Sequence, residues 1–473
     1  MVSLASSSLV GSNANYKASA EVPNYDGAGG TVTVNVGGTV AATGSGAYGI
    51  FAQSSGVSGD KDGVVAVNGT GAVYGNAAGI AAANLGHGST ITVGSGATLA
   101  GGCTAASAGS CASSGYAVLA MTSQSGKLTV TNQGTVIGGV GGATVATAKA
   151  SATTPTPGLE FVNAGSFYAG REVTNVALED HGTTHVGVRA GTIAETVLTN
   201  STYRYDGSAR LVLDADFLHG QADAIRLVGS SWGALAGTGA PLQATVSTSY
   251  LMPARLTVLT QDAASTVDSA APIAVASSSP VFSYVVTPAA GPQGTTYGLE
   301  ARARFAPAGL ALHDNERAVA GYLQGIWDNG VATPAQKTLA NTFARLATVD
   351  AAGYEAALSG FVGRMPVVQA AAAPLAAQSF LFNMASCATF ADAGVALRER
   401  PCVWNRVIGG ESRVDTGDPA GYVRRFVSWQ GGGQVALGGD WFVGGGIAYT
   451  DDRYSDLQPN ESASGHGFLA GVS

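Results

Sequence analysis

Four groups of residues in this sequence have types and spacings that could do chemistry. His181 and His185 stand beside Glu179 and Asp180 and could gather a metal ion, since residues four apart share a face of a strand. Gly182 between the two histidines argues against a helix that would present both imidazoles together. Asp214 with Asp216, and Asp60 with Asp62, have the pairing that acid and base roles on a glycan would use. Two acids on solvent-facing turns are the simpler reading. Gly229-Ser230-Ser231-Trp232-Gly233 has the pattern of a strained turn that exposes a serine nucleophile, but Gly, Thr and Pro follow it where a helix is needed. Gly44-Ser45-Gly46-Ala47-Tyr48-Gly49 matches a dinucleotide fingerprint, yet Ile50 to Gln53 reads as a strand where that motif opens a helix. None of the four has the context its chemistry requires, so no catalytic, cofactor-binding or metal-binding residue is expected, and no cofactor.

The four cysteines fall into two close pairs, Cys103 with Cys111 and Cys387 with Cys402. Neither pair has zinc-ligand spacing, and two small disulfide loops suit the low-charge, exported character of the chain, free thiols being the other reading. Of 473 residues 11% are charged and 68 are glycine, about twice the usual glycine share. Such a chain has few long side chains and many strand and turn formers, which favours a repetitive, mainly β body over a helical enzyme. The net charge of −8 leaves no basic stripe to neutralise phosphates, so no nucleic-acid partner is expected.

The elements that would position these residues are short strands. Thr31–Asn35, Val64–Asn68, Thr90–Gly94 and Lys127–Thr131 begin 33, 26 and 37 residues apart, with second segments Tyr48–Ala52, Ala78–Ala82 and Tyr116–Ala120 between them. A period of this size without helix predicts a solenoid whose coils bury their apolar side chains only against each other. The usual connection rule makes it a right-handed parallel β-helix. Residues 1–158 carry the repeats, and 159–306 form further coils and a junction around Leu211–Phe217 and Ala224–Gly229. Residues 307–398 are helical: Val319, Tyr322, Leu323, Ile326 and Trp327 share a face, Thr333-Pro334 reads as an N-cap with a first-turn proline, and Asp350 caps a third helix. A fourth stretch, Val367 to Met384, is alanine-rich with Gln369, Gln378, Ser379 and Asn383. As a thin rod of about 27 Å it suits the lumen of a small barrel.

Residues 399–473 alternate. Trp441, Val443, Ile447 and Tyr449 fall on one face and Phe442, Gly444, Gly446, Ala448 and Thr450 on the other. Val423, Val427, Trp429, Val435 and Leu437 likewise oppose Tyr422, Arg424, Ser428, Gln430 and Gln434. A bulky apolar face against a small or polar one predicts strands of a partial antiparallel transmembrane β-barrel, with Trp404, Trp429, Trp441, Val443, Ile447 and Tyr449 facing the membrane.

The order of these parts resembles the C-terminal half of a bacterial autotransporter, a type V secretion protein with a pertactin-like β-helical passenger and, here, a truncated β-domain. Cys402-Val403-Trp404-Asn405-Arg406-Val407 after Cys387 looks like the start of that family's first barrel strand, Asn315–Ala320 like its pre-barrel helix, and Leu211–Phe217 with Asp223–Gly229 like its last passenger coils. The resemblance implies a translocator that exports and anchors a surface passenger, adhesin-like in kind. Its partners would be the outer membrane, the machinery that inserts barrels and a ligand on a host or cell surface. It also implies an export signal and about a dozen strands. Met1 to Tyr16 has no basic, apolar leader, and four strands cannot close a barrel, so the expectation is a fragment of a longer product or a remnant that does not insert. The rival reading from another class is a secreted β-helix enzyme acting on polysaccharide.

Overall fold

The computed structural model describes residues 31–53, 63–83, 88–103, 111–122, 127–144, 158–235, 240–269, 272–329, 334–361, 364–384, 388–391, 396–414, 422–439, 441–456 and 462–473. The chain is mainly β, with parallel ladders followed by four helices and a four-stranded antiparallel sheet. It divides into two compact units, Met1–Arg304 with Ile326–Thr348, and Phe305–Gly325 with Val349–Ser473.

In the first unit the Val/Thr segments become one parallel sheet of nine strands. Its order is Val32–Val36, Val65–Gly69, Ser89–Val93, Leu128–Asn132, Leu159–Asn163, Val176–Asp180, Thr202–Tyr205, Ser231–Ala234 and Thr266–Val267. Between successive members the chain visits two further parallel ladders. One contains Ala72–Gly75 beside Thr98–Gly101, and the other Ala78–Ala83 beside Tyr116–Thr122. The first of these ladders is not visible from β-formers alone, because its strands are short and rich in Ala, Gly and Thr.

Alternation along each strand buries every second side chain. Leu128, Val130 and Asn132 point inward above Leu159, Phe161 and Asn163, and those above Val176, Leu178 and Asp180. Tyr203 and Trp232 stack within this interior at 4.2 Å between centroids and 8° between planes. Serines form a second internal column in which Ser201 Oγ accepts from Val176 N, Ser230 Oγ from Ser201 N and Ser265 Oγ from Ser230 N. Each hydroxyl thus satisfies a backbone donor at a corner where the ladder is interrupted. Cys103 and Cys111 form a disulfide, as their spacing led us to expect.

The helices are α1 (Asp314–Asn329), α2 (Pro334–Leu346), α3 (Ala351–Phe361) and α4 (Arg364–Met384). Pro334 opens α2, and Asp350 caps α3 by accepting from Gly353 N at 2.9 Å. Trp327, Phe343 and Phe282 pack together in the first unit; in the second, the buried Tyr354 donates to Phe305 O at 2.6 Å. Pro374 lies within α4. No helix among the described residues is long and apolar enough to cross a membrane.

Candidate functional site

The antiparallel sheet of the second unit runs Cys402–Val414, Tyr422–Gly438, Trp441–Asp456 and Ser462–Val472 in sequence order. Its register fixes which side chains share a face. The row Val407, Trp429, Tyr449 and Phe468 crosses all four strands, and Val435 lies opposite Val443 farther along. All of these stand on one side, with Val403, Val427, Leu437, Trp441, Ile447 and Val472, and all are exposed, from 42% for Trp429 to 93% for Val403. A contiguous apolar surface of this extent on a folded chain marks an interaction face.

The opposite side inverts the usual pattern, because most of its buried residues are polar. Ser428, Gln430, Gln434 and Thr450 are buried. Thr450 Oγ1 donates to Ser428 Oγ at 2.9 Å, and Gln430 Nε2 reaches the same oxygen at 3.3 Å. Farther along, Arg424 makes two contacts with Asp452 Oδ1, from Nε at 2.8 Å and Nη2 at 2.7 Å, with its guanidinium 4.5 Å from the Phe426 ring centroid.

Helix α4 lies on this face. The row Trp404, Gly432, Gly446 and Gly471 crosses the sheet, and its three glycines make a floor. The Trp404 ring rests over Gly432 and Gly446, while Met384 covers Gly446 and Gly471. Phe380, Met384 and Ala448 form the buried cluster there, joined by Leu469 and Trp404. Asn383 ties the helix down through polar groups: it accepts from Arg406 Nη1 at 2.6 Å and donates to Gln430 Oε1 at 3.0 Å. Ser473 Oγ donates to Met384 O at 3.3 Å.

Of the residues expected on the apolar face, the structure brings together Trp429, Trp441, Val443, Ile447 and Tyr449. Trp404 departs from that set and stands on the α4-covered face, because Val403 and Val407 take the outward parity of its strand. Cys402 is disulfide-bonded, and Cys387, its expected partner, lies outside the described residues, as do Asp60 and Asp62.

The other candidate groups are dispersed. His181 Nδ1 pairs with Asp206 Oδ2 at 2.6 Å, whereas His185 stacks on Tyr168 at 4.2 Å. Burial pulls the His185 imidazole below its ordinary value, against the nearby charge of Asp214. Asp214 Oδ2 accepts from Gly191 N at 2.6 Å, while Asp216 accepts from Leu218 N and His219 N. No metal-binding group of three His, Cys, Asp or Glu occurs among the described residues. Ser231 lies on a strand, and Ser230 Oγ is spent on Leu198 O and Val228 O. After Gly44–Ala47 the chain enters strand Tyr48–Gln53.

Sequence reasoning did not single out Asp223. It is 1% exposed and accepts from Ala194 N at 2.8 Å and Asp214 N at 2.7 Å. Burial, helped by the Asp214 charge and opposed by those two N–H donors, pushes its carboxyl up to about 7. A raised folded-state value means the folded chain holds this proton more tightly than the unfolded one. Its contribution to stability is therefore complete below about pH 4 and is lost as pH rises to about 7, at roughly 1.4 kcal/mol per pH unit. Urea unfolding at pH 5 and pH 8 will show a larger loss on the alkaline side for the wild type than for Asp223→Asn, which lacks the titrating group.

No protein-family model matches this sequence, and no curated protein is similar to it.

Proposed function

We propose that the second unit is part of the translocator of an outer-membrane autotransporter, with the apolar sheet face against lipid, the polar face lining a lumen and α4 lying within that lumen. The parallel ladders of the first unit are then a right-handed β-helix, the passenger that this translocator exports and displays, in the manner of a surface adhesin. One observation carries the reading: the exposed face of the sheet holds its row of large apolar side chains, while the covered face holds the buried polar residues Ser428, Gln430, Gln434 and Thr450 beside a glycine floor, the reverse of a water-soluble sheet and the pattern of a membrane barrel strand. The length of the apolar band supports it. From Trp441 to Tyr449, at a tilt near 45°, the rise is about 19 Å, with an aromatic residue at either end. Unpaired edge amides on the outer strands would cost several kcal/mol each in lipid, so the four strands act within a closed array.

Single-tryptophan variants reconstituted with bromine-labelled lipids test this directly. Bromine on the acyl chains should quench Trp429 and Trp441 strongly and Trp404 weakly. Equal quenching of all three, or quenching of Trp404 alone, would refute the assignment of faces.

A further inference from the structure

Beyond the aromatic row Val407, Trp429, Tyr449 and Phe468, the outward positions become polar. The next row is Gly409, Val427, Asp451 and His466, and the one after it Glu411, Arg425, Arg453 and Ser464. Arg425 and Arg453 are thus direct cross-strand partners on the exposed face, an arrangement of like charges that destabilises a sheet unless something neutralises it. Glu411 reaches Arg425 Nε at 2.8 Å, and both side chains are more than half exposed. Asp451 is engaged by His466 at 3.9 Å, and no carboxylate among the described residues pairs with Arg453. Arg413, two residues beyond Glu411 on the same face, adds a third exposed guanidinium. The inward arginine of this region, Arg424, is already committed to Asp452, which leaves Arg453 as the outward guanidinium whose charge no carboxylate among the described residues meets.

We propose that Arg425 and Arg453 bind the phosphate of an anionic phospholipid head group whose acyl chains lie along the apolar face. This rests on the lipid-facing reading of that face. The arginine row stands four residues past the aromatic row, about 9 Å farther along the membrane normal at a 45° tilt, and long arginine stems reach back over part of that distance. That is the head-group layer outside a hydrocarbon core. Guanidinium forks match phosphate oxygens, and two of them on adjacent strands can share one phosphate. The continuous run from apolar belt through aromatic row to arginines is what selects an amphiphile over a free anion.

Flotation of the full chain with vesicles of phosphatidylcholine alone, and of phosphatidylcholine mixed with phosphatidylglycerol, tests the site. The wild type should partition into both and prefer the anionic vesicles. Arg425→Gln with Arg453→Gln should lower partition into the anionic vesicles about thirtyfold, the equivalent of roughly 1 kcal/mol per cation near an anionic surface, and leave the neutral vesicles unchanged. Arg425→Lys with Arg453→Lys should keep most of the preference. A double glutamine variant that retains the full preference overturns the proposal. So does inorganic phosphate, at matched ionic strength, if it erases the preference as completely as the double variant, since that identifies a free-anion site. A chain that floats with neither vesicle, and is indifferent to Val443→Asp with Ile447→Asp, refutes the lipid-facing reading itself and the head-group site with it.

Discussion

Asp180→Ala is expected to destabilise the first unit by on the order of 4 to 8 kcal/mol, and Asp180→Asn by only about 1 kcal/mol. The difference follows from an internal column of amides. Asn132 Nδ2 donates to Asn163 Oδ1 at 2.8 Å, and Asn163 Nδ2 to Asp180 Oδ1 at 2.8 Å, with all three residues fully buried. Asp180 ends the column and accepts three further bonds: from Gly182 N at 3.1 Å, Thr184 Oγ1 at 2.7 Å and the Tyr203 hydroxyl at 2.5 Å. Alanine leaves three buried donors and the half-buried Gly182 N–H without an acceptor, and each buried one costs about 1–3 kcal/mol. The total approaches the whole stability of an ordinary domain.

Asparagine preserves the column because of where its nitrogen would fall. Oδ1 faces two N–H donors and must remain an oxygen, but Oδ2 faces two hydroxyls, which can rotate to accept. Urea unfolding followed by the fluorescence of Trp232, which stacks on Tyr203, reads both variants. Equal loss from the two would mean that the negative charge, and not the hydrogen-bond count, is what the interior requires.

That column was legible in the sequence in a way that strand periodicity does not reveal. Asn132-Gln133-Gly134, Asn163-Ala164-Gly165 and Asp180-His181-Gly182 repeat one pattern, a short polar side chain two residues before a glycine. In each case the glycine N–H donates back to the side-chain oxygen, closing a turn at the strand end. The local half of the motif can therefore be read from spacing. The half that joins one coil to the next cannot, because loops of variable length set which asparagine lies above which. Alternation gave the faces of Tyr422–Gly438 and Trp441–Asp456 directly, since glycines and bulky residues separate by parity there. Trp404 was placed by residue type against the parity of its own strand, where Val403 and Val407 share one side and Trp404 shares the other with Arg406. The seat of α4 was hidden for a different reason: glycines 432, 446 and 471 become a single row only once register is known.

Replacing Gly432 by valine is expected to lift Trp404 and α4 from the sheet and to cost the second unit about 3 kcal/mol, the upper end of what overpacking costs. A Cβ at Gly432 would stand 2.5 Å from Gly445 O and 2.7 Å from Trp404 Cζ2, and the first of these is backbone that cannot turn aside. Gly471 is more forgiving, because its nearest neighbours are Met384 Cε at 2.8 Å and Sδ at 3.0 Å, the end of a flexible side chain. Gly471→Ala should therefore be nearly neutral and Gly471→Leu should not. The outward glycines supply the control: a Cβ at Gly431 meets nothing closer than 3.6 Å and one at Gly445 nothing closer than 3.4 Å. Gly431→Val and Gly445→Val should leave the unit intact. In single-tryptophan variants, the emission of Trp404 and its quenching by acrylamide follow the outcome: Gly432→Val should shift the emission to the red and raise quenching, while Gly431→Val changes neither. Equal responses from the two glycines would mean that strand propensity, and not the seat of the helix, governs these positions.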